Sequence, residues 1–272
     1  MTTNSSSTDW ISVTGLEKGF ETGSYALDNS ADLSGKKIEL HDANGGVRSL
    51  NVDQDQLRVD DGDPVQVRIT SLRQGVYLLD WLDERQKPTT SYTVVLDTLS
   101  DSYTQVVGTL PTFDVIKTGL YERALGGRAL TDVNVEISHG AVNQAYSEGV
   151  CPHAITDELI GVRNLYRYSP TEVYEHVYLN ENFYTWHCLK GVEKNLCDTD
   201  RCHYYKITED LYLFIWREKI VPTLGIVMID EQNHRSDGKI FGVGDTEDAP
   251  LANFPMASYC QRLNDTEYPD EH

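Results

Sequence analysis

What most limits the folds open to this chain is an alternation. From Leu33 onward apolar and polar residues exchange places at period two, and Gly, Asp, Asn or Pro interrupts the pattern roughly every 8 to 12 residues. KKIEL (36–40), VQVRI (65–69), GVYLLDWL (75–82), SYTVVL (91–96) and YTQVVGTL (103–110) form a first run. A less regular stretch from Phe113 to His153 holds VNVEI (133–137). The second run is GVRNLYRY (161–168), EVYEHVYL (172–179), NFYTWHCL (182–189), RCHYYKI (201–207), DLYLFIWREKI (210–220), TLGIVMID (223–230) and KIFGV (239–243). Side chains on a strand point alternately to opposite faces, so this pattern builds half-buried strands. Long helical periodicity is absent.

The expected class is therefore all-β, with antiparallel up-and-down meanders. Each half carries roughly seven strands, a number from which small barrels close. One enlarged barrel and two barrels in tandem both fit the pattern; two barrel-like halves is the preferred reading. Residues 1–31 read as a loosely attached polar arm with Trp10 and Phe20 as isolated anchors, and 32–140 as a first β domain. Residues 141–154 read as a connection, 155–244 as a second barrel, and 245–272 as an acidic tail.

Charge narrows the partners. Formal net charge is -20, from 43 acidic and 23 basic residues. Such a surface repels phosphate, so neither nucleic acid nor an anionic membrane is an expected partner. No apolar run approaches the ~20 residues of a membrane span. Met1 to Ser7 lacks the basic and apolar regions of a signal peptide, so a cytoplasmic location is expected. The odd set of cysteines (Cys151, Cys188, Cys197, Cys202 and Cys260) then reads as free thiols, and the sequons at Asn4 and Asn264 are not read as glycosylation sites. The chain has no glycine-rich phosphate loop, dinucleotide fingerprint, nucleophile elbow or C-x-x-C pair.

Reactive side chains are densest between Glu172 and Lys219. A turn at Asn180-Glu181 would place Tyr174, His176, Tyr178, Phe183, Thr185 and His187 on one face. A turn at Glu209-Asp210 would set Arg201 opposite Glu218, with His203, Tyr205, Tyr212, Phe214 and Trp216 on the same side. Aromatic walls with a few polar groups suit a small-molecule lumen. In that arrangement Arg201, oriented by Glu218, anchors an anionic group. His187 or His203 moves a proton, and Tyr174 or Tyr205 stabilises developing charge. His176, Tyr178, Phe183, Phe214 and Trp216 line the substrate. A cross-strand Arg–Glu pair or a single strand histidine is more often structural, so the case rests on density.

Three inward histidines (His176, His187 and His203) could instead ligate a transition metal. No compact motif supports this, and Cys188, Cys197 and Cys202 have no zinc-knuckle spacing, so neither metal nor cofactor is expected. The loop 191–201, with Glu193, Asp198 and Asp200, reads as an Asx turn, a cation loop or a lid.

Three segments also carry a resemblance. YSPTEVYEHVYLNENFYTWHCLKGVE (168–193), DTDRCHYYKI (198–207) and LYLFIWREKIVPTLGIVMID (211–230) strongly resemble the C-terminal domain of the molybdenum cofactor biosynthesis protein F (MoaF) family, over roughly residues 155 to 243. DLSGKKIELHDANGG (32–46) and GVYLLDWLDERQKPTTSYTVVLD (75–97) look like that family's first domain, more weakly. The polar arm and Cys197, where alanine is expected, depart from it. The resemblance implies a lipocalin-like (calycin) barrel and leaves the reaction open. Phenolic acid decarboxylases share such a barrel and use tyrosine, arginine and glutamate, an analogy of fold alone. The expected function is a cofactor-independent lyase, isomerase or cyclase acting on a small unsaturated or aromatic metabolite. A non-catalytic carrier or molybdenum cofactor accessory protein is the alternative, and a histidine-ligated metalloenzyme the third reading. Exposed edge strands could pair two copies as a homodimer.

Overall fold

The computed structural model describes residues 9–267 and 269. Helix α1 (Val13–Glu21) precedes strands β1 (Lys37–Asp42), β2 (Val47–Asp53), β3 (Gln56–Val59), β4 (Val65–Gln66) and β5 (Arg68–Arg73). Strands β6 (Val76–Asp83), β7 (Thr90–Asp97) and β8 (Ser102–Thr109) follow; then α2 (Phe113–Ile116), α3 (Leu120–Leu125) and β9 (Asn134–Val142). The second half holds β10 (Ala154–Ile155), β11 (Val162–Arg167), β12 (Val173–Asn180), β13 (Phe183–Lys190) and β14 (Cys197–Thr208). It ends with β15 (Leu211–Glu218), β16 (Thr223–Asp230), β17 (Arg235–Gly242) and β18 (Ala252–Asp265).

Each half forms a nine-stranded antiparallel sheet. The first runs β4-β3-β2-β1-β9-β8-β7-β6-β5, and its two ends are one segment bent at Val67, which brings the sheet round on itself. In the second, β14 pairs with both β13 and β15 and so closes the ring. The chain is thus two barrels in tandem, and closure leaves little free strand edge. No described helix is long and apolar enough to cross a membrane.

The barrels pack side by side through their outer faces. Val76, Leu78, Val95 and Val106 of the first meet Leu213, Ile215, Leu224, Ile226 and Met228 of the second in one apolar cluster. Gly108 is required here: a Cβ on it would fall 2.2 Å from Leu224 Cδ2. This packing explains why β16 is buried along its whole length rather than on alternate residues. The interface also contains ions. Lys239 Nζ, completely buried, pairs with Asp80 and donates to Ser91 Oγ at 2.6 Å, and Arg68 pairs with Asp237 at 2.5 Å.

Both ends of the chain depart from the sequence expectation. The part of the expected loose arm that is described contains α1, capped by Ser12 Oγ, which accepts from Gly15 N at 3.1 Å. Val13, Leu16 and Phe20 form its buried stripe, and Phe20 packs against Tyr168 at 4.9 Å and Phe254 at 6.1 Å between ring centroids. The helix therefore covers the second barrel. The expected acidic tail from Asp245 contains β18, which pairs with β11 and β17 as an integral part of the ring. Its alternation, in ANFPMASYC (252–260), is interrupted by Pro255, whose missing N–H obscured the strand. Residues 1–8, 268 and 270–272 of the expected arm and tail lie outside the described residues.

Candidate functional site

Two one-residue bulges decide what faces the interior of the second barrel. At the β12–β13 hairpin Asn180 Oδ1 accepts from the N–H groups of Asn182 and Phe183, both at 2.9 Å. Asn180 then pairs with Phe183, Leu179 bulges, and Tyr178 pairs with Tyr184. Tyr178 was expected opposite Phe183, so every side chain of β13 is on the opposite face from the one expected. Tyr184, Trp186 and Cys188 share the inner face with Tyr174, His176 and Tyr178. Phe183, Thr185 and His187 lie outside.

The β14–β15 hairpin behaves alike. Thr208 pairs with Leu211 as the turn at Glu209-Asp210 requires, but the register then shifts at Ile207. Arg201 stands opposite Arg217, not Glu218. Cys202 and Tyr204 face inward with Phe214 and Trp216, while Arg201, His203 and Tyr205 leave the lumen.

The expected residues are thus divided. Tyr174, His176, Tyr178, Phe214, Trp216 and Glu218 converge on the interior or its mouth. His187 sits outside against Glu175, Nδ1 to Oε1 at 2.9 Å. Arg201 lies over the Phe183 ring at 4.5 Å, and Tyr205 packs on His139 of the first barrel at 4.9 Å. His203 lies on the face turned toward that barrel, its imidazole pushed below the usual range by burial and then by Arg217 and Arg201. The three histidines therefore cannot share one metal through the lumen, which removes that reading of His176, His187 and His203.

The interior itself is filled. Tyr204 stacks on Phe214 at 5.5 Å and Phe214 on Trp216 at 5.3 Å. Tyr166 and Tyr178 share a hydroxyl hydrogen bond of 2.5 Å. His176 is enclosed by Tyr166, Tyr184, Phe214 and Trp216 rings at 4.6 to 6.1 Å, and burial pushes its imidazole down to about 3. It is neutral at any physiological pH, with Nδ1 unpaired. Trp216 lies flat over Gly225, where a Cβ would sit 2.1 Å from the indole.

Chemistry collects at the mouth. Trp216 Nε1 donates to Glu218 Oε1 at 2.9 Å, Trp186 Nε1 to Asp200 Oδ2 at 3.2 Å, and the Tyr174 hydroxyl to Glu193 Oε2 at 3.0 Å. Lys219 Nζ reaches Asp198 at 2.5 Å and Asp200 at 3.3 Å, so the Asp198-x-Asp200 loop is held by a lysine. Desolvation raises Glu218 well above the carboxylate range, helped by Asp200 and Glu193 nearby. It lifts Glu193 to about 7 and Asp200 to about 6, the latter against the pull of Lys219. These three carboxyls, the Trp186 indole and the α1 residues Val13 and Leu16 line a cavity of about 140 Å³. A larger groove of about 660 Å³, lined by Arg68, Asp80, Asp83 and Arg85, lies elsewhere. Those four charges are already paired, Asp80 with Lys239, Arg68 with Asp237 and Arg85 with Asp83.

Sequence reasoning named Glu193 and Asp200 only as loop residues and passed over Trp186. A bulge leaves no local signature that would have redirected them.

Residues 8–112 match the MoaF N-terminal domain and residues 153–266 the MoaF C-terminal domain. A relative, "Protein MoaF" of Klebsiella aerogenes, is 39% identical over 259 residues, covering 95% of this chain and 97% of that protein. A solved structure of a candidate beta-lactamase from Burkholderia vietnamiensis aligns with a TM-score of 0.33 and 12% identity, over 40% of this chain and 100% of its own, too low a similarity to carry an argument. With both domains matched in order and the relative aligned almost end to end, the chain belongs to the MoaF family.

Proposed function

We propose that the mouth of the second barrel binds a small, planar molecule rich in hydrogen-bond donors and moves a proton on it. The observation that carries this reading is the convergence of Glu193, Asp200 and Glu218 on one cavity lined by the Trp186 indole. Carboxyls held near neutrality by burial can act as general acid or base close to pH 7. The Trp186 indole gives a flat heterocycle an apolar face, while the carboxyls meet its N–H edge. The chemistry would be that of a lyase, isomerase or cyclase, with Glu218 as proton donor and Asp200 or Glu193 as acceptor. His176 supports the aromatic wall. A cavity of about 140 Å³ is below the roughly 300 Å³ of common ligand sites, so α1 must lift for anything larger to enter.

Family membership favours a second reading, an accessory role in molybdenum cofactor biosynthesis without turnover. One experiment addresses both. Native mass spectrometry identifies any co-purified small molecule, which is then incubated with the protein in D2O. Solvent deuterium or a mass change appearing in it supports proton transfer, and its unaltered return supports the carrier. For the site itself, benzamidine is a planar cationic probe. Its affinity should rise from pH 5 to pH 8 as Asp200 and Glu193 ionise through about 6 and about 7. Asp200→Asn should weaken it by about tenfold, some 1.4 kcal/mol. Binding that ignores both pH and Asp200→Asn would defeat this placement of the site.

A further inference from the structure

A second constellation lies outside both barrel interiors. Leu96, Tyr103 and Val142 point into the first barrel. Alternation therefore sends Asp97 on β7, Thr104 on β8 and His139 on β9 to its outer face. Residues 143–153 fold back over this face before the chain enters β10, bringing Cys151 and His153 onto His139. Ligand atoms of His139, Cys151 and His153 all lie within 4.8 Å of one another. The far wall belongs to the second barrel: β10 is paired to β14 at Ile155 and Tyr205, and the Tyr205 ring stands 4.9 Å from His139.

Two details point to a ligand. Thr104 Oγ1 lies 2.8 Å from Nδ1 of His139 and 2.8 Å from Nδ1 of His153. A hydroxyl oxygen has two lone pairs, so it accepts from both Nδ1–H groups when each Nε2 carries the lone pair that a metal ligand needs, and this orients both rings. The His153 side chain is 0% exposed, yet its Nε2 has no hydrogen-bond partner. The nearest charge is the Asp97 carboxylate, 3.9 Å away. A completely buried imidazole with one nitrogen unpaired is uncommon without an ion or water to account for it.

We propose that His139, Cys151 and His153 bind a divalent transition-metal ion of the zinc class at the junction of the barrels. One thiolate and two imidazoles are the donor set that such borderline ions prefer over oxygen-seeking calcium or magnesium. Tetrahedral coordination needs ligand atoms roughly 3.5 Å apart, so the three donors, within 4.8 Å of one another here, draw in by roughly 1 Å when the ion binds. Thr104 is the outer partner that stands behind both histidines, and Asp97 Oδ2, 3.9 Å from the same His153 Nε2, lies on the ligating side, where it or a water takes the fourth position. Because Cys151 and His153 precede β10 directly, the ion would pin the connection between barrels to the first of them. The site is separate from the acidic mouth and does not depend on the function proposed there.

The test is a titration of the chelator-treated full chain with Co²⁺. One equivalent should bind, with a thiolate-to-cobalt absorption band in the near ultraviolet. Cys151→Ser, checked for intact fold by circular dichroism, should abolish that band. It should also weaken binding beyond the about 10- to 100-fold that an outer partner alone is worth. No stoichiometric binding by the wild type would overturn the proposal. So would a Cys151→Ser protein with unchanged affinity and spectrum, since the ion would then sit elsewhere.

Discussion

The first barrel is filled with aliphatic side chains, among them Leu50, Leu57, Leu79, Val94 and Leu96, with Tyr77, Trp81 and Tyr103 at intervals. The second, of the same strand number, is filled by Tyr166, Tyr178, Tyr184, Tyr204, Phe214 and Trp216, and holds a histidine among them. Aliphatic filling stabilises and offers no polar handle. Aromatic filling places hydroxyl and indole groups that need partners: Tyr166 and Tyr178 bond each other, while Trp216, Trp186 and Tyr174 donate to the carboxyls of the mouth. One architecture thus carries two different fillings, and the polar groups from which the mouth is proposed as a site come with the aromatic one.

Core truncation separates the two halves most sharply. Phe214→Ala should cost about 3–5 kcal/mol and Leu79→Ala about 2–5 kcal/mol in urea unfolding. Only Phe214→Ala should also abolish probe binding at the mouth; equal loss of binding in both variants would dissolve the contrast between the barrels.

A smaller effect comes from the raised carboxyl of Glu193. Its folded value of about 7 exceeds the ordinary 4.5, so the folded state holds the proton more tightly. The resulting stability is present below pH 4.5 and is lost as pH rises through about 7. Glu193→Gln should therefore match the wild type at pH 4 and exceed it at pH 8, by on the order of 2 kcal/mol after discounting for partial exposure. Parallel pH–stability curves for the two proteins would show that Glu193 is not desolvated.

The smallest effect is expected outside the lumen. His187→Ala removes a half-exposed contact with Glu175, so stability should move by about 0.5 kcal/mol or less. Binding at the mouth should be unchanged. A large loss of binding would return His187 to the site and unseat the register on which the mouth is built.

Sequence alone carried the class and the count of halves, because alternation and turn residues are local properties of a strand. β12 and β15 were read on the correct faces: Tyr174, His176 and Tyr178 on one, Phe214, Trp216 and Glu218 on the other. β13 and β14 were not, since a single bulged residue, Leu179 or Ile207, costs little locally yet inverts every side chain beyond it. His187, Arg201, His203 and Tyr205 left the lumen for that reason.

What only tertiary structure decided is who meets whom across the chain. The three-residue cluster of His139, Cys151 and His153 has no motif spacing, and closes only because the connection folds back across β8 and β9. Helix α1 reads as a polar arm until the barrel mouth gives Val13, Leu16 and Phe20 something to cover. The sequence by itself determined strands, turns and two barrels, through short-range sterics and hydrophobic alternation. Register, the covering helix and the proposed sites depend on contacts between residues far apart in the chain, whose free energies exist only once the barrels have closed.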